Sequence, residues 1–415
     1  MGNGIAPFLH VIRSRSILPA LCLAFILASS GARAGPVAAR AAPVIEAESY
    51  LLYDHNSGEV LAQKNIDQQV APGELVRLMV AFAVFDAMAN GKLKPDATVP
   101  IRPATRNTPA PRLFAPLHAP IAAQTLVRAL VIGGANDAST ALAQAIDGNV
   151  PAFLARMNGW ARQLGMDHTR FTDLTGVDRT RQTTTARDLQ ILVRSLIRRF
   201  PQEYALFHER QIGYQGLTLY NRNALLWQDK QVDGVAAARV AGKARHLIAS
   251  AVHDKMRLTA IVLGAPGERS RVYGARQLLE FGFAHFETRL LYRSDTPAVR
   301  VRVWMGDRDT VPVGTAQNLY LTLRRGSFDQ VRARLRIDSI PEAPVEAGTR
   351  LGTLQLTLGD RDLGRWPLVA LQTVGTGGLL RRNWDRLQQW LDGDDSKPSE
   401  LTNEHAGHQE GLPER

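Results

Sequence analysis

The chain reads as a mixed α/β (α+β) domain followed by a small antiparallel β domain and an amphipathic C-terminal helix. Strand-like segments near residue 50, and again between residues 211 and 263, bracket a run of helical periodicity, so distant parts of the chain must close one sheet. Beyond residue 287 the pattern turns to strict alternation. Val299, Val301 and Val303 alternate with Arg300 and Arg302, and Val331, Ala333, Leu335 and Ile337 with three arginines. Leu354, Leu356 and Leu358 alternate with Gln355 and Thr357. Period two with polar partners marks half-buried antiparallel strands.

Taken in order, residues 46–54 are strand-like, Asn56-Ser57-Gly58 supplies a turn, and residues 59–63 form a second strand. Ala71-Pro72-Gly73-Glu74-Leu75-Val76-Arg77-Leu78-Met79 then opens a helix that runs through Phe82, Phe85 and Met88 to a stop at Asn90-Gly91. Its apolar side chains cover nearly the whole circumference, as in a central buried helix. Glu74 and Arg77 in the first turn fit poorly with burial, because an unpaired buried charge is costly, and that turn is expected to face a cleft. Helix chemistry alone also accounts for them: an acid at the positive end of the dipole and an i,i+3 ion pair. Residues 98–123 are proline-rich and read as irregular. Residues 123–146 read as a helix interrupted at Gly133-Gly134, and residues 153–164 as one ended by Gly165. Thr185-Ala186-Arg187-Asp188 caps a helix through Ile197. Strands follow at 211–220, 232–235, 246–252 and 257–263, then a helix over 271–281.

After residue 372, Gly375-Thr376-Gly377-Gly378 breaks the chain. On a helical wheel Leu379, Leu380, Trp384, Leu387, Trp390 and Leu391 share one arc, with Arg381, Arg382 and Arg386 opposite. Tryptophans on an apolar face backed by arginines suit a short helix lying weakly and reversibly on an anionic membrane surface. A helix docked by that face on its own protein has the same pattern. Residues 393–415 are acidic and polar and are expected to be disordered. His405 and His408 there are expected to be solvated, and no metal site or cofactor is expected.

Arg13 and Arg15 ahead of the apolar run 17–28, with Ala32-Arg33-Ala34 before Gly35, have the form of a secretory leader. The only cysteine, Cys22, lies inside it, so the exported chain would carry no disulfide and no cysteine metal site. Losing three arginines from 50 basic side chains against 39 acidic ones lowers the net charge from +11 to +8. A basic exported protein suits anionic envelope surfaces. Nucleic acid is not an expected partner, since no aromatic-plus-basic motif is present. The expected organisation is a leader over 1–34, a linker over 35–44, the α/β domain over 45–286 and the β-rich domain over 287–373. An amphipathic helix over 374–392 and the tail over 393–415 complete it.

Ordered stretches resemble the serine D-Ala-D-Ala carboxypeptidases, the low-molecular-mass penicillin-binding proteins. They are Ser49-Tyr50-Leu51-Leu52-Tyr53-Asp54 with Asn56-Ser57-Gly58-Glu59-Val60-Leu61-Ala62, then Met157-Asn158, Leu164-Gly165-Met166 and Thr185-Ala186-Arg187-Asp188. Asn221-Arg222-Asn223-Ala224-Leu225-Leu226-Trp227, Val232-Asp233-Gly234-Val235 and Met256-Arg257-Leu258 continue them. The resemblance runs from about residue 46 to residue 391. It implies a penicillin-binding, β-lactamase-like transpeptidase domain, then the β domain, then a membrane-anchoring helix.

That family's chemistry uses S-x-x-K, S-x-N and K-T-G: a serine nucleophile, a lysine able to lose its proton, and groups that hold the substrate carboxylate. Here the three motifs fall on Glu74 to Arg77, on Gly134-Ala135-Asn136 and on Ala236-Ala237-Ala238. Only Asn136 stays in place. A guanidinium keeps its proton with a pKa above about 12 and cannot serve as general base. No displaced S-x-x-K or K-[ST]-G occurs in the chain. A pseudoenzyme is therefore expected, with Glu74 and Arg77 paired across the former nucleophile pocket. Arg271 aligns with an arginine that the family is thought to use near the stem-peptide carboxylate; with Asn136 it makes a candidate peptide site, while a surface arginine at a helix start fits the sequence equally. Three functions stay open at this point. The chain binds peptidoglycan stem peptide or a cell-wall enzyme without turnover; or it is a carboxypeptidase using Glu74 as base; or its arginine-rich β domain docks a partner in a purely structural role.

Overall fold

The protein is described by a computed structural model over residues 41–106, 108–178, 180–240, 244–392 and 399–403. The expected leader, most of the linker, and residues 393–398 and 404–415 with His405 and His408 lie outside the described residues.

Strands β1 (Ser49–Asp54) and β2 (Val60–Lys64) form the opening hairpin, turned at Gly58 with φ +82°. A single 3-10 turn, Gly73–Leu75, leads into α1 (Val76–Ala89). Helices α2 (Ala123–Val131), α3 (Asn136–Asp147), α4 (Val150–Leu164) and α5 (Ala186–Arg199) follow. Local chemistry sets their ends. Asn149 Oδ1 accepts from Ala152 N at 2.9 Å at the start of α4, Gly165 ends that helix at φ +79°, and Thr185 Oγ1 accepts from Asp188 N at 3.1 Å at the start of α5. Strands β3 (Val232–Arg239), β4 (Arg245–His253) and β5 (Met256–Ala265) and helix α6 (Glu268–His285) complete the domain. The sheet runs β2-β1-β5-β4-β3, all antiparallel, so β1 is inserted next to a strand two hundred residues away and β3 is an edge.

Both faces of this sheet are covered. Leu51, Tyr53, Ile248 and Ile261 join the large core around α1, whereas Leu52, Leu247, Ala260 and Val262 pack on α6 through Ala275, Leu278 and Leu279. Phe82 of α1 is fully buried and meets Trp160 and Phe200 edge-on at centroid distances of 5.3 and 5.2 Å. Truncating such a side chain costs about 3–5 kcal/mol, so α1 is the axis of the domain's stability. Residues 98–123 depart from the irregular reading. Thr98–Pro100 pairs with Pro120–Ala122, and Pro103–Arg106 forms a short helix between them. Val99 and Ile121 are buried opposite each other, and the prolines sit at the ribbon's ends, where no ladder bond is lost.

In the second domain β6 (Phe286–Tyr292) begins where α6 ends. Strands β7 (Val299–Arg302), β8 (Thr310–Thr315), β9 (Leu319–Arg324), β10 (Val331–Ile337), β11 (Arg350–Leu358) and β12 (Arg361–Ala370) follow. Helix α7 (Leu379–Asp392) and strand β13 (Ser399–Asn403) end the described chain. β6 pairs with β9, and the larger sheet runs β7-β8-β12-β11-β10-β13. Residues 399–403 were expected to be disordered. They pair with β10 instead, because the outer edge of that strand offers a row of backbone groups for a further strand. The two domains meet at the turn after β1, where Thr288 Oγ1 donates to Asp54 Oδ2 at 3.0 Å and the hydroxyls of Ser57 and Thr322 lie 2.6 Å apart.

Helix α7 does rest on its own protein, but by its polar side. Asp385 Oδ2 accepts from Met305 N at 2.7 Å, Arg302 donates to Gln388 Oε1 at 2.7 Å, and Arg381 pairs with Asp309. Leu379, Leu380, Trp384, Leu387 and Trp390 face outward, with Leu380 89% and Trp390 78% exposed. The Leu391 side chain lies outside the described residues. No helix among the described residues is long and apolar enough to cross a membrane.

Candidate functional site

The three motif positions converge between the start of α1, the α2–α3 junction and the edge strand β3. Sequence-local chemistry holds each wall. Gly73 adopts φ +53° and approaches the carbonyl of Arg239 so closely that a Cβ would overlap it, which draws the start of α1 against the end of β3. Asn221 and Asn223 are buried and frame the loop facing them. Asn221 Nδ2 donates to the carbonyls of Phe207 and Glu209, and Asn223 Nδ2 donates to the carbonyl of Gly234 at 2.8 Å. Arg222, between them, is thereby aimed at the start of α1.

The expected Glu74–Arg77 ion pair is not what forms. Arg222 Nη1 donates to both carboxylate oxygens of Glu74, at 2.7 and 2.9 Å, and the backbone N–H of Arg239 donates to Oε2 at 3.1 Å. Arg77 reaches across the cleft and donates through Nη2 to the carbonyl of Ala237. Glu74 sits in the 3-10 turn ahead of α1 and Arg77 in the α-helix proper, so the two side chains leave the axis in different directions despite their i,i+3 spacing. They still interact through space. Burial opposes ionisation of Glu74, but Arg77 and Arg222 outweigh it and hold the carboxyl below its usual range. Burial lowers the Arg77 guanidinium to about 10, with Glu74 pulling the other way, so it stays protonated at neutral pH.

Gly134 explains how an arginine fits there. At φ +63° its missing Cβ would overlap Nη1 of Arg77, so the guanidinium fills the space that a side chain at position 134 would need. The side chain at position 77 and the lack of one at position 134 are therefore sterically linked. Ala236, Ala237 and Ala238 are buried along β3. What remains beside Arg77, Gly133, Arg222 and Ala237 is a cavity of about 10 Å³, the room of a single water.

Neither candidate peptide ligand is idle. Asn136 opens α3, and its Nδ2 donates to the carbonyl of Pro109 at 2.9 Å. Arg271 is 2% exposed, which removes the surface-arginine reading. Its Nη1 donates to the carbonyls of Ala238 and His246 at 2.7 and 2.9 Å, and Nε and Nη2 clasp Glu268. It clamps α6 to the end of β3. Ser139 and Thr140, the nearest hydroxyls along α3, donate back to the carbonyls of Ala135 and Asn136 within their own helix. The described residues include no cluster of three His, Cys, Asp or Glu placed to hold a metal. The sequence reading missed Arg222 and Arg239 as parts of the site. The signal for Arg222 was its place between two asparagines in a shared stretch.

Residues 37–267 match the D-alanyl-D-alanine carboxypeptidase family, and residues 286–376 match the C-terminal domain of penicillin-binding protein 5. The chain is 33% identical over 365 residues to D-alanyl-D-alanine carboxypeptidase DacC of Escherichia coli, covering 84% of this chain and 90% of that protein. It is 30% identical over 393 residues to DacA of the same organism, covering 91% and 96%. The crystal structure of penicillin-binding protein 5 from Haemophilus influenzae superposes with a TM-score of 0.76 at 32% identity, covering 81% of this chain and 99% of that one. The two-domain architecture, the ordered matches along the chain and these likenesses agree: this chain belongs to the D-alanyl-D-alanine carboxypeptidase family, the penicillin-binding proteins of peptidoglycan metabolism.

Proposed function

We propose that this chain is a catalytically inactive member of the family, acting in peptidoglycan metabolism by binding rather than by turnover. The observation that carries the reading is Arg77. Its protonated guanidinium stands at the position of the base, bridges to the carbonyl of Ala237 and occupies the space beside Gly134. Acyl transfer needs a hydroxyl to take the acyl group and an amine to take its proton; Glu74 and Arg77 supply neither. Loss of such a pair typically costs about six decades of turnover. Reading Glu74 as a base for water attack fares poorly, because its carboxylate is held ionised and bonded by Arg222 and the Arg239 amide.

With the cleft filled and the donors of Arg271 engaged, a cell-wall enzyme is favoured as the partner over the stem peptide. The site assignments follow: Glu74, Arg77, Gly134 and Ala236 to Ala238 are vestiges of the motifs, and Asn136 and Arg271 are structural. An exported, periplasmic location with peripheral attachment through Leu379, Leu380, Trp384, Leu387, Trp390 and Leu391 fits the leader-like N-terminus and the outward apolar face of α7. The test is incubation with a fluorescent penicillin and with a D-Ala-D-Ala pentapeptide, read by intact mass and by D-Ala release. Neither an adduct nor release is expected, and an ester-linked adduct on any side chain overturns the proposal. Calorimetric titration with the same peptide is expected to show no heat of binding; saturable heat would restore the stem peptide as ligand.

A further inference from the structure

One strand of the β domain carries a regular row of exposed arginines. β10 buries Val331, Ala333, Leu335 and Ile337 and exposes Arg332, Arg334 and Arg336. Alternate residues of a strand recur about every 6.6–6.8 Å on one face, so the three arginines make a regular basic ladder. On the β11 side they lie in register with Thr357, Gln355 and Thr353, none of them acidic. On the other side β13 runs antiparallel to β10, with Glu400 opposite Arg336, Leu401 opposite Leu335 and Thr402 opposite Arg334. Directly opposed residues share a face of the sheet. The acid of this strand is thus in register with an arginine, and its leucine with a core leucine. In sequence, Glu404 continues the alternation of Glu400 and Thr402, and residues 393–415 hold six acids (Asp394, Asp395, Glu400, Glu404, Glu410, Glu414) against Lys397 and Arg415.

We propose that the arginine-bearing edge of β10 is a docking surface for an acidic extended segment, and that its resident is the chain's own C-terminal segment, held in cis. Strand addition takes its affinity from main-chain hydrogen bonds and its specificity from alternate side chains. Here Arg336 selects an acid at its register position, Arg334 admits a polar residue, and Leu335 selects an apolar one between them. A slip of one residue would bring Leu401 into register with an arginine and Glu400 into register with Leu335 or Ile337, which charge and hydrophobicity both disfavour. The segment also closes an edge that would otherwise be a template for other chains.

The test is hydrogen–deuterium exchange on the full chain, read at the backbone amides of residues 331–337. Leu401→Pro, Arg336→Glu and Glu400→Lys should each speed exchange of the outward amides by about tenfold or more, while amides of β11 stay unchanged. Arg336→Glu combined with Glu400→Lys should restore protection, and raising salt to about 1 M should weaken it in the unmodified chain. Equal exchange in the unmodified chain and the Leu401→Pro variant would show a bare edge and overturn the proposal. Failure of the charge swap to restore protection, with Leu401→Pro still accelerating exchange, would remove the arginines as selectors. Protection that vanishes on dilution, together with a dimer mass by light scattering, would assign the edge to a second copy's segment and overturn docking in cis.

Discussion

The molecule closes two sheet edges, at β3 and at β10, by different means. Single side chains close β3: Arg77 takes the Ala237 carbonyl and Glu74 the Arg239 amide, both from the half-buried start of α1. A backbone strand closes β10, with exposed arginines beside it. The first closure is concentrated in a few partly dehydrated charges, where a lost partner leaves a buried charge uncompensated and bulk salt screens little. The second is spread over several weak bonds in high dielectric and yields to salt or to a competing strand. On the proposed reading, fixed charge at β3 stands where a substrate would otherwise enter the cleft.

The largest effect should come from restoring a side chain beside Arg77. Gly134→Ser places a Cβ where the guanidinium already lies and at a φ of +63°, so urea denaturation should show a loss of about 2–4 kcal/mol. Combining it with Arg77→Ala should recover part of that loss, a non-additivity that two independent sites would not show. If the double variant is as destabilised as the sum of the singles, Arg77 does not occupy that space.

Glu74→Gln is next. It leaves Arg222 and Arg77 without their counter-charge, at a cost of about 1–3 kcal/mol near neutral pH. Its pH dependence sharpens the comparison. The carboxyl is held below its usual range in the folded protein, so its contribution is complete above the unfolded value of about 4.3 and is lost as pH falls through the lower folded value. The acid limb of the stability profile should therefore be shallower in Glu74→Gln than in the unmodified chain. Identical acid limbs would deny Glu74 that role.

The smallest effect belongs to α7. Asp385→Ala removes the acceptor for the Met305 amide and should cost no more than about 1 kcal/mol of global stability, while raising exchange at the amides of α7. Trp384→Ser with Trp390→Ser should leave the fold intact and reduce cosedimentation with anionic phospholipid vesicles. Unchanged cosedimentation would separate the exposed face from membrane binding.

Much of this was legible in the chain. Alternation at 331–337, the Thr185 cap and the Gly165 stop each act through near neighbours, and the local pattern reports them directly. The residues behind the proposed loss of turnover were legible for a similar reason, since a nucleophilic hydroxyl and a proton-labile amine are properties of individual side chains and can be looked for letter by letter. The partners were not legible. Glu74 is bonded to Arg222, 148 positions on, and Arg77 to Ala237, 160 positions on. Only the fold shows that Arg271 is buried and bonded between α6 and β3, and that residues 399–403 pair with β10. Sequence by itself determined which groups are present and which local elements they favour. Tertiary structure alone decided which charges meet, because long-range pairing depends on the directions in which side chains leave their elements, and those are set only when the sheet closes around α1.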